Sequence, residues 1–211
     1  MKLDQLFELS YFINLPERTD RLGSLDAEWY KINHYPERFS AIKHENGVIG
    51  CYLSHLGILK KARDLNKSVL IFEDDVVFDE DCRQVLESSL DELCDLSWDM
   101  AYFGGNVLRP FFQLTQHWGR LSHAQSTHAY CVSKNFLSTV VDFLEKNPPW
   151  ISKLCLDQLY ADYLVPNCNA YIIIPMIARQ KSDFSTIENR QMTYDLPIQR
   201  YWHFLVKNEK L

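Results

Sequence analysis

At 211 residues, with 46% hydrophobic and 24% charged side chains, the chain has a globular composition and enough length to bury its own core. Its 22 basic and 28 acidic residues leave a net charge of −6, which argues against nucleic acid as partner, because phosphate-backbone binders carry a basic surplus. Six cysteines occur without a C-x-x-C pair, so a zinc site or a redox motif has little support. They read as reduced thiols of a cytoplasmic protein, although an even count leaves disulfides open. Residues 1–9 carry Asp4 and Glu8 and lack the apolar stretch of a secretory signal, and the run 170–178, broken by Pro175, is too short to span a bilayer.

In chain order, apolar runs alternate with amphipathic stretches. Residues 9–15 read as a buried strand closed by Pro16, and 38–42 as a short second strand. Residues 47–67 carry Val48, Cys51, Tyr52, Leu56 and Leu59 at helical spacing. The apolar run 69–72 predicts a strand that leads directly into Glu73-Asp74-Asp75. Asp79 is placed to cap a helix continuing through Val85, Leu86, Leu90 and Leu93. A strand at 100–103 is closed by Gly104-Gly105, a strand follows at 128–133, and a helix at 135–146 stops at Pro148-Pro149. Residues 152–164 read as helix, 171–174 as a last strand, and the aromatic-rich segment from Leu196 as a final helix. The alternation predicts an α/β fold with a mainly parallel central sheet flanked by helices. Uniformly apolar strands favour that over a half-wetted antiparallel sheet. A single domain over 1–211 is the simplest organisation, with a nucleotide-binding part over about 9–80, an acceptor part over about 98–190 and a C-terminal helix over 195–211.

In open α/β sheets, ligands sit at the carboxyl ends of strands, where the acidic triplet lies. If the backbone stays extended there, Glu73 and Asp75 share one side, and their mutual repulsion calls for a cation or donors. Magnesium or manganese suits such oxygen ligands and completes its shell with phosphate and water. The alternative is that three acids after a strand merely solvate a turn.

The neighbouring motifs point further. Tyr11-Phe12-Ile13-Asn14-Leu15 with Arg18 and Arg21, Gly50-Cys51-Tyr52-Leu53-Ser54-His55, Leu70-Ile71-Phe72-Glu73-Asp74-Asp75-Val76 and Thr127-His128-Ala129-Tyr130 occur in that order, followed by Asp157 and by Gln180 with Ser185. This series resembles the family 25 glycosyltransferases, a group that includes lipooligosaccharide and collagen galactosyltransferases. The resemblance implies a GT-A type fold, a nucleotide-sugar donor (most often a UDP-sugar), a glycan or glycoprotein acceptor and inversion at the anomeric carbon.

On this reading Asp75 is the first choice for the metal ligand, with Glu73 as second ligand or donor contact and Asp74 on the donor sugar or ribose. Asn14, Leu15 and Arg18 follow the first strand, where a turn and a guanidinium suit base and phosphates; Arg18 and Arg21 as surface residues of a helix start are the alternative. Ser40 and Ala41 end the second strand on the crevice side, or are plain strand residues. Ser54 and His55 lie on the helix before the acidic strand, where packing is the competing role. His128 is expected to touch substrate, or to be a satisfied core imidazole. Asp157 is the candidate base for the acceptor hydroxyl, or an exposed helix position. Gly104 and Gly105 would let backbone approach the sugar, or end a strand. Gln180, Ser182 and Ser185 would close over the diphosphate, and Tyr201-Trp202-His203-Phe204 would offer a sugar platform or pack as a helix. Two rival classes remain: a non-catalytic nucleotide-sugar-binding module, and a metal-dependent phosphatase or phosphotransferase with Asp75 as nucleophile. The second is weakened because a D-x-D-x-T pattern is absent: Val77 stands where its second acid would fall, and no hydroxyl follows.

Overall fold

In the computed structural model the described residues are 2–182, together with the backbone at 184–185, 190–191 and 205–206. The strands are β1 (Leu9–Asn14), β2 (Glu37–Ser40), β3 (Val69–Glu73), β4 (Val76–Phe78), β5 (Met100–Tyr102), β6 (Asn106–Val107), β7 (Phe111–Gln113), β8 (Trp118–Arg120), β9 (Ala124–Gln125), β10 (Ala129–Val132), β11 (Ala170–Ile173), β12 (Ala178–Gln180), β13 (Phe184–Ser185), β14 (Arg190–Gln191) and β15 (Leu205–Val206). The helices are α1 (Leu3–Leu6), α2 (Thr19–Ile32), α3 (Gly47–Leu65), α4 (Cys82–Asp95), α5 (Leu137–Lys146), α6 (Pro149–Ser152) and α7 (Leu156–Leu159).

Nine strands form one sheet in the order β15-β7-β8-β11-β5-β10-β3-β1-β2. β1 pairs in parallel with both β2 and β3, β5 with β11, and β7 with β15, whereas β10 and β8 run against the other members. The sheet is therefore mainly parallel, as the alternation of elements predicts.

Strand parity sorts the core into two layers. Tyr11 and Ile13, Val69 and Ile71, Met100 and Tyr102, Tyr130 and Val132 pack on one face with Tyr52, Leu56 and Leu59 of α3 and Val140, Val141 and Leu144 of α5. Phe12, Leu70 and Phe72, Ala101, Ala129 and Cys131 pack on the other with Leu25 and Trp29 of α2 and Leu86, Leu90 and Leu93 of α4. Covered on both faces, β3 keeps Val69, Leu70 and Ile71 fully out of water. Burial of such side chains contributes about 1.5–3 kcal/mol each.

Three departures from the sequence expectations have local causes. Helix α2 was not legible, because Leu22, Leu25, Trp29 and Ile32 are separated by polar residues and Gly23. The helix expected over 152–164 is broken: Lys153 takes a left-handed φ of 63° after α6, and α7 restarts behind Cys155 before a π-helical turn at Tyr160–Leu164. Leu205–Val206, expected within a C-terminal helix, is an edge strand beside Phe111 and Phe112. The rest of that helix and Tyr201-Trp202-His203-Phe204 lie outside the described residues, as does the side chain of Ser185.

Candidate active site

Because β1, β2 and β3 are parallel, their carboxyl ends open on the same edge of the sheet, and a cleft of about 430 Å³ lies there. Leu15 and Arg18 line it after β1, Ala41, Ile42 and Lys43 after β2, and Glu73, Asp74 and Asp75 at the end of β3. The segment after β2 is fastened to α3 by Ser54, whose Oγ accepts from the Ile42 amide (2.8 Å) while donating to the Gly50 carbonyl (2.7 Å). A Cβ on Gly50 would stand 2.7 Å from the Ile42 carbonyl, so this close approach requires glycine. Asn46 caps α3 through the Val48 amide (2.9 Å). Ser54 and His55 both line the cleft, with the Ser54 hydroxyl committed to holding this loop.

β3 ends at Glu73, and Asp74-Asp75 form a turn into β4, so the extended backbone expected through all three acids stops one residue in. The three carboxylates consequently meet different partners. Glu73 follows the parity of Val69 and Ile71 toward α3. There Thr127 Oγ1 donates to its Oε1 (2.6 Å) and His55 Nε2 lies 3.5 Å away. Burial would raise the Glu73 carboxyl, but His55 and Thr127 outweigh it and hold it below its ordinary value. Asp74 accepts from Asn14 Nδ2 (2.6 Å) and from the Arg21 guanidinium. Arg21 is itself carried above its ordinary value: burial opposes the charge, and Asp74 and Asp75 more than compensate. Asp75 sits 3.6 Å from Arg21 Nη1, and its buried Oδ1 has no hydrogen-bond partner. Burial, then the Glu73 charge, push the Asp75 carboxyl up to about 8 against the pull of Arg21.

Asp157 lines the cleft from the first turn of α7. Its Oδ1 accepts from the Gln158 amide (2.9 Å) and the Cys155 thiol (2.8 Å), and its Oδ2 is 3.4 Å from the Ser126 amide. Ser126 holds a left-handed φ of 88° and donates through Oγ to Gln180 Oε1 (3.2 Å), so one serine links Asp157 to Gln180. The Lys181 amide donates to the Asp75 carbonyl (2.7 Å), which sets the end of β12 over the acidic turn.

Of the candidates, Leu15, Arg18, Ala41, Ser54, His55, Glu73, Asp74, Asp75, Asp157 and Gln180 face the cleft. Others do not. Ser40 is exposed on β2 and outside the lining, because the strand turns its last side chain away. Asn14 is buried behind the acidic turn, holding Asp74 rather than facing ligand. His128 is a buried imidazole with Nε2 3.3 Å from the Ala178 carbonyl, outside the lining; burial lowers its pKa and keeps the ring neutral at pH 7. Gly104 serves the fold: a Cβ there would stand 1.8 Å from the Ala178 carbonyl, and neither Gly104 nor Gly105 reaches the cleft. Sequence reasoning missed Ser126, Thr127, Cys51 and Cys155, all of which line the cleft. Thr127 and Cys51 carried a signal, standing in the Thr127-His128-Ala129-Tyr130 and Gly50-Cys51-Tyr52-Leu53-Ser54-His55 motifs.

Comparison with known proteins gives the family. The chain is 39% identical over 80 residues to human Inactive glycosyltransferase 25 family member 3, covering 36% of this chain and 13% of that protein. It is 32% identical over 90 residues to human Procollagen galactosyltransferase 2, covering 41% and 14% respectively. It thus spans about a seventh of the length of the curated relatives it matches. A solved glycosyltransferase involved in the glycosylation of the major capsid of PBCV-1 aligns with a TM-score of 0.46 at 12% identity, over 93% of this chain and 98% of that one. The family model described as "Glycosyltransferase family 25 (LPS biosynthesis protein)" matches residues 45–195, more than half of the sequence. The chain belongs to glycosyltransferase family 25.

Proposed function

We propose that the protein is a metal-dependent inverting glycosyltransferase moving a hexose from a UDP-sugar to a hydroxyl of a glycan or glycoprotein. One observation carries this reading: Asp75 offers a buried carboxylate oxygen without a protein donor, in a cleft that Arg21 and Asp157 also line. A buried carboxylate short of donors fits a hard divalent cation. Manganese or magnesium held through Asp75 would neutralise charge gathering on the leaving diphosphate. Thr127 donates to Glu73, and Asn14 and Arg21 donate to Asp74, whereas Asp75 keeps a buried oxygen unmet, which makes it the best suited of the three to magnesium or manganese.

The other walls suit the rest of a nucleotide sugar. Ile13, Leu15, Ala41, Ile42 and Val48 offer an apolar surface to a base. Arg18 and Lys43 stand at hand for phosphate, held meanwhile by the exposed carboxylates of Asp20 and Glu17. Exposed pairs of this kind contribute about 0–1 kcal/mol, so a diphosphate can exchange for the carboxylate. Asp157 accepts the proton of the acceptor hydroxyl through Oδ2, the oxygen less engaged by its neighbours.

The test is UDP release from a panel of UDP-sugars with manganese. Asp75→Asn should abolish metal-dependent turnover. Asp157→Asn, which keeps the acceptor oxygen for the Gln158 amide, should lower kcat about 10²–10⁴-fold while leaving donor affinity unchanged. Metal-dependent nucleotide binding without turnover by the unmodified chain would assign it instead to the non-catalytic class. Binding of neither cation nor nucleotide would end the proposal.

A further inference from the structure

We propose that Cys51, His55 and Glu73 form a site for a thiophilic divalent cation, zinc, separate from Asp75. The inference does not rest on sugar transfer. Cys51 and His55 stand four residues apart on α3 and so share one helix face. Strand parity turns Glu73 toward that same face from β3. One ligand atom from each of the three residues lies within 4.8 Å of the others.

The imidazole is the informative member. His55 is 1% exposed. Its Nδ1 lies 3.0 Å from the Tyr130 hydroxyl, and its ring stacks on Tyr130 with centroids 5.7 Å apart. Tyr130 is backed in turn by the Tyr160 hydroxyl at 3.4 Å. These contacts fix the ring and aim Nε2 at Glu73, where it stands at ion-pair distance but makes no hydrogen bond. Zinc-ligating histidines are held in this way, through the ring nitrogen that does not bind the metal. The 3.5 Å between Nε2 and Glu73 Oε1 is near the roughly 3.4 Å edge of a tetrahedron with metal–ligand bonds of about 2.1 Å. Thr127 steadies the same carboxylate from the side.

A thiolate, an imidazole and a carboxylate select zinc over magnesium or manganese, whose shells favour oxygen throughout. On binding, the Cys51 thiol gives its proton to solvent as the sulfur–zinc bond forms. Cys51 and Glu73 both line the cleft, so the fourth position opens there, to water or to a ligand oxygen. Three protein ligands with one open position is the arrangement of a reactive rather than a closed structural zinc site. The sparse cysteine spacing hid it, since two ligands come from one helical turn and the third from the next strand.

The experiment uses the full chain stripped of metal, with Co²⁺ and Zn²⁺ as probes. One equivalent of Co²⁺ should produce a thiolate-to-cobalt charge-transfer band and tetrahedral d–d bands, bleached by one equivalent of Zn²⁺. Asp75→Asn should keep those bands and Cys51→Ala should lose them. As a readout on the unmodified chain, Zn²⁺ should protect Cys51 from alkylation at least tenfold, while the exposed Cys94 reacts at the same rate with or without metal. Absence of the charge-transfer band, or equal alkylation of Cys51 with and without zinc, overturns the site. So does cobalt binding that survives Cys51→Ala but fails with Asp75→Asn. Failure of sugar transfer with the cobalt spectrum intact would count against the proposed function alone.

Discussion

Replacing Asp75 by Asn should stabilise the metal-free protein, and by an amount that grows with pH. The carboxyl is pushed up to about 8 from an ordinary 3.8 by burial and by Glu73. Between those values the folded state holds a proton that the unfolded state has released. A raised folded pKa gives a contribution fully present below the unfolded pKa and lost as pH rises through the folded one. One proton corresponds to about 1.4 kcal/mol per pH unit. From pH 5.5 to 7.5 the wild type should therefore lose about 3 kcal/mol relative to Asp75→Asn, whose amide does not titrate. For a chain of this length that corresponds to a relative fall in Tm of about 6–11 °C.

The assay is a set of thermal melts in chelator from pH 5.5 to 9, with wild type and variant compared at each pH so that all other titrations cancel. The gap should widen steadily to near pH 8 and then level. Saturating manganese should close it in the wild type, more strongly at pH 8 than at pH 6 because the cation competes with the proton, and should leave the variant unmoved. Parallel pH profiles for the two proteins would refute both the buried-carboxylate reasoning and the metal assignment drawn from it.

Other outcomes follow from the same geometry. Gly104→Ala places a methyl 1.8 Å from the Ala178 carbonyl and 2.9 Å from His128 Nε2, and should destabilise by about 3 kcal/mol, read as a Tm drop of several degrees. Arg21→Met and Asp74→Asn should each destabilise, but the double variant should cost less than their sum, with a coupling of about 1–3 kcal/mol in a double-mutant cycle by urea unfolding. Thr127→Val removes the hydroxyl that donates to Glu73 and should cost about 2 kcal/mol at pH 7. Because the Glu73 carboxyl is held below its usual range, that cost should fade as acid titrates it below pH 4.5, measured by chemical denaturation across pH.

Much of the fold was legible because the central strands are continuous apolar runs: 69–72 and 100–103 need both faces covered, and α3 with α5 on one face and α2 with α4 on the other supply the cover. The acidic cluster was legible as charge placed abruptly after an apolar strand, but its turn at Asp74-Asp75 was not, because extended backbone was expected through all three acids. What failed to show is long-range. Gly104 is glycine because Ala178 comes to it from a distant strand, and no local pattern announces that approach. Ser126 joins Asp157 to Gln180 across segments far apart in sequence, through a left-handed backbone that its identity does not suggest. The β7–β8 hairpin escaped notice because its strands are three residues each and interrupted by Gln113 and Gly119. His128 misled for a different reason: a histidine in a motif reads as chemistry until its ring is seen against the Ala178 carbonyl.

Two unmet polar atoms argue that the cleft serves a ligand. His55 Nε2 and Asp75 Oδ1 are buried without hydrogen-bond partners, and both residues line the cleft. Each such group costs about 1–3 kcal/mol, a heavy sum against a folding free energy of about 5–15 kcal/mol. A packed core would shed that cost by small apolar substitutions. Here the same region instead adds Arg21 against two carboxylates and steadies Glu73 with Thr127. Relatives named as inactive match this chain over 80 residues, so sequence likeness cannot decide between catalysis and a silent fold. Turnover decides it: a cation that meets Asp75 Oδ1 must raise Tm in either case, because any fold that binds it is stabilised, whereas UDP release that is lost in Asp157→Asn belongs to an enzyme alone.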